Sequence, residues 1–268
     1  MKKRHTSVIV AVIFIIIGFV LLFGGIGLGI ATDGFNFHDE ESFTKEFNNE
    51  KITNLDIEFK YGTMQIKTGE AFKVEADNID KDSINCEVRN NTLVVENKRD
   101  VFHFGFGWYG NTNLTVYIPR DVKFEDVKVK TGAGKFELSD INADNINIDC
   151  GIGEGIYNKL SAKYAKFKSG IGSQRLYDCT FTEFDLNAGI GEVSYNGKIA
   201  GKCNIKGGIG EVRMNLSGNT SDYKFDVRNG LGDVRINGRS ANDFKNINGE
   251  NDFSISNGIG AVNIYIGG

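Results

Sequence analysis

The chain has 268 residues, 34 of them glycine and one proline, and its 35 acidic and 31 basic side chains give a formal net charge of −4. That balance lacks the basic footprint nucleic-acid binding needs, and so much glycine with so little proline argues against collagen-like or low-complexity sequence. The four cysteines, Cys86, Cys150, Cys179 and Cys203, have no CxxC spacing and the histidines number three. This argues against a structural zinc site and favours buried free thiols.

Residues Val8 to Ala31 form 24 positions without a charge, longer than the roughly 20 residues a helix needs to cross a bilayer. Lys2, Lys3 and Arg4 precede this run, while Asp33, Asp39, Glu40 and Glu41 come after it. The bias of positive charge predicts a cytoplasmic basic tip at 1–7, a single-pass transmembrane signal anchor at 8–31, and an extracellular remainder in the cell membrane. A cleaved signal peptide stays open, because Gly29 and Ala31 suit a cleavage site, although such signals carry an apolar stretch of only about 7 to 15 residues. Residues 32–51 are acidic and polar with scattered phenylalanines, and read as a tether.

Residues 52–126 alternate loosely, with Ile57, Phe59, Met64, Ile66, Val74, Leu93 and Val94 apolar and a degenerate corner at Tyr61-Gly62. They predict irregular β coils that cap a more regular stack, a separate β-domain being the alternative. Within them, Asp100 to Asn111 places Phe102, Phe104, Phe106, the single tryptophan Trp108, and Tyr109 between glycines. Aromatic side chains on such a loop suit a protein partner, a sugar ring or a membrane interface, and equally could close the end of a core. These five are the candidate partner-binding residues.

From residue 127 to 268 a GxG unit recurs, with first glycines at 132, 151, 170, 189, 208, 230 and 258. The successive spacings are 19, 19, 19, 19, 22 and 28 residues. Five and three positions before each first glycine the residue is apolar, as in Ile146 and Ile148, and the one between them is polar, as in Asn147. After the glycines the inward set resumes with Val193, Val212, Val234 and Val262, then Tyr157, Leu176, Met214 and Ile264. Strand, glycine corner, strand and a short third face carrying Ile141, Leu160, Cys179 and Ile199 predict one coil of a parallel β-helix. The fold class expected is therefore all-β, a β-solenoid of about 19 residues per coil after one transmembrane helix. The longer last intervals, Ser217 to Asp222 and Gly238 to Asp252, predict loops bulging from the stack. Val262, Ile264 and Ile266 would then end the stack as an open edge suited to self-association.

The glycine units do not fit a dinucleotide fingerprint, since a strand rather than a helix comes after each one. Glu154, Glu192, Glu211 and Asp233 recur three residues after the first glycine and could row up near a cation, but Arg175, Arg213 and Arg235 stand two positions further to neutralise them. No GxSxG, HExxH or Cys/His constellation occurs. The expectation is a protein without catalytic residues, cofactor or metal.

Asn113-Leu-Thr-Val-Tyr-Ile-Pro119, Phe124-Glu-Asp-Val-Lys-Val-Lys-Thr-Gly132-Ala-Gly134 and the strand-GxG-strand units after them resemble the bacterial toastrack family of adhesin-like β-strand repeats, of unknown function. The likeness runs from about Ile52 to the C-terminus. It implies a non-enzymatic cell-envelope protein, often linked to envelope stress systems, and brings no binding residues with it. The function expected is binding, sensing or adhesion outside the membrane, with an envelope protein, cell-wall glycan or lipid as partner and no nucleic acid. A structural spacer, or a polysaccharide-acting β-helix enzyme, is the alternative.

Overall fold

The computed structural model describes residues 42–79, 83–97, 112–244 and 249–267. In chain order the strands are β1 (Ser42–Glu46), β2 (Asn54–Gly69), β3 (Lys73–Asp77), β4 (Ile84–Arg89), β5 (Thr92–Asn97), β6 (Asn113–Pro119), β7 (Lys123–Ser139) and β8 (Asn142–Asn158). They continue as β9 (Ser161–Ile199), β10 (Lys202–Leu216), β11 (Tyr223–Leu231), β12 (Val234–Ile236), β13 (Arg239–Ser240), β14 (Asn251–Ile259) and β15 (Val262–Ile266). All join one sheet. The expected solenoid is present. Val8–Ala31 lies outside the described residues, among which no helix is long and apolar enough to cross a membrane.

The middle of the stack follows the 19-residue period directly. Val127 pairs with Ile146, Ile146 with Ala165, and Phe184 with Cys203, all in parallel register. A one-residue slip would turn every apolar side chain to solvent, so the alternation fixes the register. Inside, Phe136, Tyr157, Phe167, Phe184 and Tyr195 form a continuous aromatic file with successive ring centroids 5.7, 4.9, 5.7 and 5.4 Å apart. Ile141, Leu160, Cys179 and Ile199 are buried on the third face as expected, and all four cysteines are buried free thiols.

The second glycine of each unit is the tightest point of the stack. Gly153 has φ +137°, and a Cβ built on it would run into the Gly134 carbonyl. Only a residue without a side chain can therefore sit there. Gly62, Gly134, Gly153, Gly172, Gly191, Gly210, Gly260 and Gly232 repeat the arrangement as one column, and Thr112 closes it above Gly62. A second corner turns at Asp121, Asp140, Lys159 and Asp178, with φ between 54° and 62°. Aspartate tolerates this left-handed conformation because its side chain can bond locally, so the corner needs no glycine.

Both ends of the stack depart from sequence order. At the N-terminal end β2 pairs with β7, Leu55 opposite Val127. On its other side its two halves pair with β5 and β6, Leu55 opposite Leu93 and Met64 opposite Leu114. The coil made by β5 and β6 is thus later in sequence but outermost in space. Antiparallel β3 and β1 extend one leg beyond β6, and antiparallel β4 extends the other beyond β5. The described strands between Asn54 and Pro119 share one sheet with the solenoid. Ser42–Glu46, within the stretch read as a tether, pairs in the sheet as β1, because Phe43 and Phe47 pack on the core.

At the other end the same exchange occurs. β14 and β15 insert between β10 and the coil made by β11 and β12: Phe253 faces Cys203 on one side and Phe225 on the other, and Ile264 faces Met214 and Ile236. The expected open edge at Val262, Ile264 and Ile266 is corrected, since β15 is interior. Ser217–Asp222 leaves the strands as expected, turning as a 3-10 helix at Thr220–Asp222 with no buried residue; its three additional residues carry the chain past the layer that β14 and β15 later fill. The excursion after β12 forms the β13 hairpin and a 3-10 turn at Ala241–Phe244, whose Ala241 and Phe244 cover the end of the core. Nine layers result, about 38 Å at the usual strand spacing.

One polar cluster interrupts the core. Gln174 occupies an inward position and is 3% exposed. Gly155, its neighbour in the layer before, leaves room for the Tyr157 hydroxyl, which donates to Gln174 Oε1 at 2.6 Å and lies 3.1 Å from Cys150 Sγ. Burial pushes the Tyr157 hydroxyl well above its ordinary value and raises the Cys150 thiol. Both stay protonated across the physiological range.

In denaturant unfolding, Gly172→Ala, at φ +136° against the Gly153 carbonyl, should cost about 3 kcal/mol or more, combining backbone strain and overpacking. Gly238→Ala, at φ +75° with nothing within 4 Å, should cost only about 1 kcal/mol; equal costs would contradict the stacked corner. Tyr157→Phe should cost about 1 to 3 kcal/mol by stranding the Gln174 amide, and adding Gln174→Leu should recover most of that loss. Additive losses in the double variant would mean the two side chains are not coupled.

Candidate functional site: an apolar ridge at the glycine corner

The residue between the two glycines has no room inside the corner and projects outward. Because the layers are in register, these residues form a file: Ile152, Ile171, Ile190, Ile209, Ile259 and Leu231 in spatial order. Ile152 is 44% exposed, Ile190 38%, Ile259 36% and Leu231 51%, which makes four of the six most exposed large apolar side chains described. Six layers at the usual spacing give a ridge about 24 Å long. Contiguous exposed apolar surface on a soluble fold marks an interaction site more often than scattered apolar residues do.

Charged rows border the ridge on both sides. Two positions before each first glycine, from the Ile171 layer onward, stand Lys168, Asn187, Lys206, Ser256 and Arg228. On the other flank the same layers carry Ser173, Glu192, Glu211, Ala261 and Asp233. From that layer onward one flank is basic and the other acidic, whereas the Ile152 layer carries an acid on each side, Asp149 and Glu154. Further from the ridge, Arg213 reaches Glu211 at 2.9 Å and Glu192 at 3.4 Å, Arg235 reaches Asp233 at 3.3 Å, and Arg175 bonds Glu154. The expected arginine ladder is in place. Ser173 and Ala261 interrupt the carboxylate row, and among the described residues no three His, Cys, Asp or Glu side chains gather as a metal site.

Other titratable groups are held by the lattice. Tyr164 donates to Asp185 at 2.6 Å, and this bond with partial burial pushes its hydroxyl up to about 12. Burial alone would raise the Asp185 carboxyl, but the bonds from Tyr164 and Asn204 outweigh it and hold the group below its usual range. Lys123 and Lys163 bracket Asp144 at 2.7 and 3.2 Å and lower it in the same way. Burial pushes the Cys179 thiol up to about 12 and Cys203 well above its ordinary value. Thiols held protonated in this way make poor nucleophiles.

Phe102, Phe104, Phe106, Trp108 and Tyr109 lie outside the described residues, in the connection from β5 to β6. The ridge was written in the sequence, since an isoleucine or leucine fills six of the seven GxG units. A residue between two glycines reads as filler until the layers are stacked.

Solved structures similar to the chain include a candidate cell adhesion protein from Clostridium sporogenes, 18% identical, with 85% of this chain and 100% of that one covered and a TM-score of 0.41. A candidate adhesin from Bacteroides fragilis is 12% identical over 84% of this chain and 97% of that one, with a TM-score of 0.44. A protein from Parabacteroides distasonis described as a candidate lipid binding protein is 15% identical over 83% and 96%, with a TM-score of 0.33. No curated protein matches the sequence. Residues 52–259, which run from β2 to the end of β14, match the Toastrack DUF4097 family, and the chain belongs to it.

Proposed function

We propose that the chain is a non-enzymatic, membrane-anchored module that carries its toastrack solenoid outside the cell membrane and works there by binding, in the manner of an adhesin or envelope sensor. The observation that carries this reading is the ridge. A lattice that buries its apolar residues in every layer leaves six large apolar side chains in line on one corner, five of them between rows of opposite charge. Exposing apolar surface in this way costs solubility, and a bound partner offsets that cost. The uncharged Val8–Ala31 run and its positive N-terminal flank support the anchor and its direction. Partners of the envelope kind, whether protein, glycan or lipid, fit a surface in that position. The aromatic loop at 102–109 offers a second place for them.

Two reporters fused after Gly268 test the location. An alkaline phosphatase, which folds only after export, should be active in cells producing the full chain, while a fluorescent protein that matures only in the cytoplasm should stay dark. The reverse pattern would overturn the reading. In the same cells Ile190→Asp with Leu231→Asp should leave export and unfolding midpoint unchanged but abolish capture of envelope fragments. Unchanged capture would favour a spacer or the loop.

A further inference from the structure

The ridge has a polarity that constrains which partners can cover it. Across the five layers from Ile171 to Leu231, the flank before the corner presents Lys168, Lys206 and Arg228 with no acid among them. The flank after the corner presents Glu192, Glu211 and Asp233 with no base in that file. The basic and acidic rows run parallel to one another along the stack, and the apolar file separates them. A flat anionic surface would gain from the basic row alone, since Arg213 and Arg235 already pair the acidic one, and a uniformly acidic or basic partner would match only one flank.

One partner meets both rows at once, which is a second copy of the same corner. Two ridges can face each other through a two-fold axis in two ways. With the axis perpendicular to the stacks, the copies run antiparallel and each row faces its own kind: with Ile152 opposite Leu231, Glu192 meets Glu211 and Glu154 meets Asp233, while only Asp149 and Arg228 attract. With the axis along the stacks, the copies run parallel and the rows exchange, so that Lys206 faces Glu211 of the other copy and Arg228 faces Asp233. Each layer then meets the same layer of its partner, and Ile190 touches Ile190. Asp149 meets Glu154 in the Ile152 layer, but in the layers beyond it the parallel arrangement sets opposite charges together, and it is the more complementary of the two.

We propose that two copies of the chain associate side by side, in parallel, through the isoleucine ridge. This deepens the binding reading above and rests on it, naming the partner as the chain itself. A ridge about 24 Å long and one side chain wide lies below the roughly 800 Å² per partner of a standard interface, so the free association is weak. The parallel direction puts both N-termini at the same end. Two chains anchored in one membrane would then meet at a high effective concentration without any further contact.

Cysteine cross-linking of the full chain in membranes tests the arrangement, because the four native thiols are buried. Ile190→Cys alone, and Leu231→Cys alone, should each give a disulfide-linked homodimer on mild oxidation, well ahead of an Asn204→Cys control on the lateral face. Mixing Ile152→Cys and Leu231→Cys chains carrying different tags should give no mixed dimer, since those layers lie at opposite ends of the ridge. Lys206→Glu with Arg228→Glu should lower Ile190→Cys cross-linking by about fivefold or more, and adding Glu211→Lys with Asp233→Lys should restore it. A mixed dimer between the Ile152→Cys and Leu231→Cys chains would mean antiparallel packing and overturn the proposal. Cross-linking no faster than the control, or failure of the four-residue swap to restore it, would also overturn it and leave the ridge to a different partner. Either failure, with the exported reporter still active, would remove the dimer without removing the extracytoplasmic location.

Discussion

Everything in this solenoid depends on how closely one glycine corner approaches the next. Where the carbonyl of Gly134 occupies the place a Cβ of Gly153 would need, no side chain and no shift of register can be accommodated. That contact sets the layers in step. Once they are in step, every other column is determined: the inward Val, Ile and Phe files stack without gaps, the arginines fall beside the carboxylates of the neighbouring layer, and the residue between the glycines is forced outward. The ridge is thus a by-product of the corner, and its composition is where selection for surface chemistry would act. A passive corner could carry serine or threonine at no structural cost. Here it carries isoleucine or leucine in six consecutive layers.

A stack of parallel coils leaves open strands at both ends, which invite unwanted pairing. This chain answers in the same way twice. At each end it lays down an outer coil out of turn and closes over it with antiparallel strands or a hairpin, β1, β3 and β4 at one end and β13 with its 3-10 turn at the other. Phe72 against Phe124, with ring centroids 6.3 Å apart, and Arg239 over the Phe244 ring at 5.3 Å show these caps packing on their surroundings. β15 lies inside the stack, held between β10 and β12. β11 becomes the end strand, and its outward Lys224, Asp226 and Arg228 give it a charged lateral face.

The sequence made the first corner and the inward files legible because glycine and strict alternation leave few other readings. Gly62 showed only as a degenerate trace, yet it belongs to the same column. The second corner was not legible, since Asp140, Lys159 and Asp178 take the left-handed turn without glycine and look like ordinary surface residues. Nor was the order of the end layers. Periodicity reports that Phe225 and Phe253 occupy equivalent positions in a coil, but either could lie next to Cys203. The intervals of 22 and 28 residues carried that information as extra length, which reads equally well as a loop. Of the candidate surfaces, the aromatic loop drew attention by composition, while the ridge needed the layers assembled before six separated residues became one feature.

The exchanged order of the end layers can be tested by disulfide formation between neighbouring lateral positions. Lys206 lies directly opposite Ser256 and a further layer from Arg228, and adjacent parallel strands bring Cα atoms to about 4.8 Å, within the range a disulfide spans. Lys206→Cys with Ser256→Cys should therefore close an intramolecular disulfide in the folded chain, and Lys206→Cys with Arg228→Cys should not. A bridge in the second pair and none in the first would mean that the coils stack in sequence order, and the end of the ridge would then have to be redrawn.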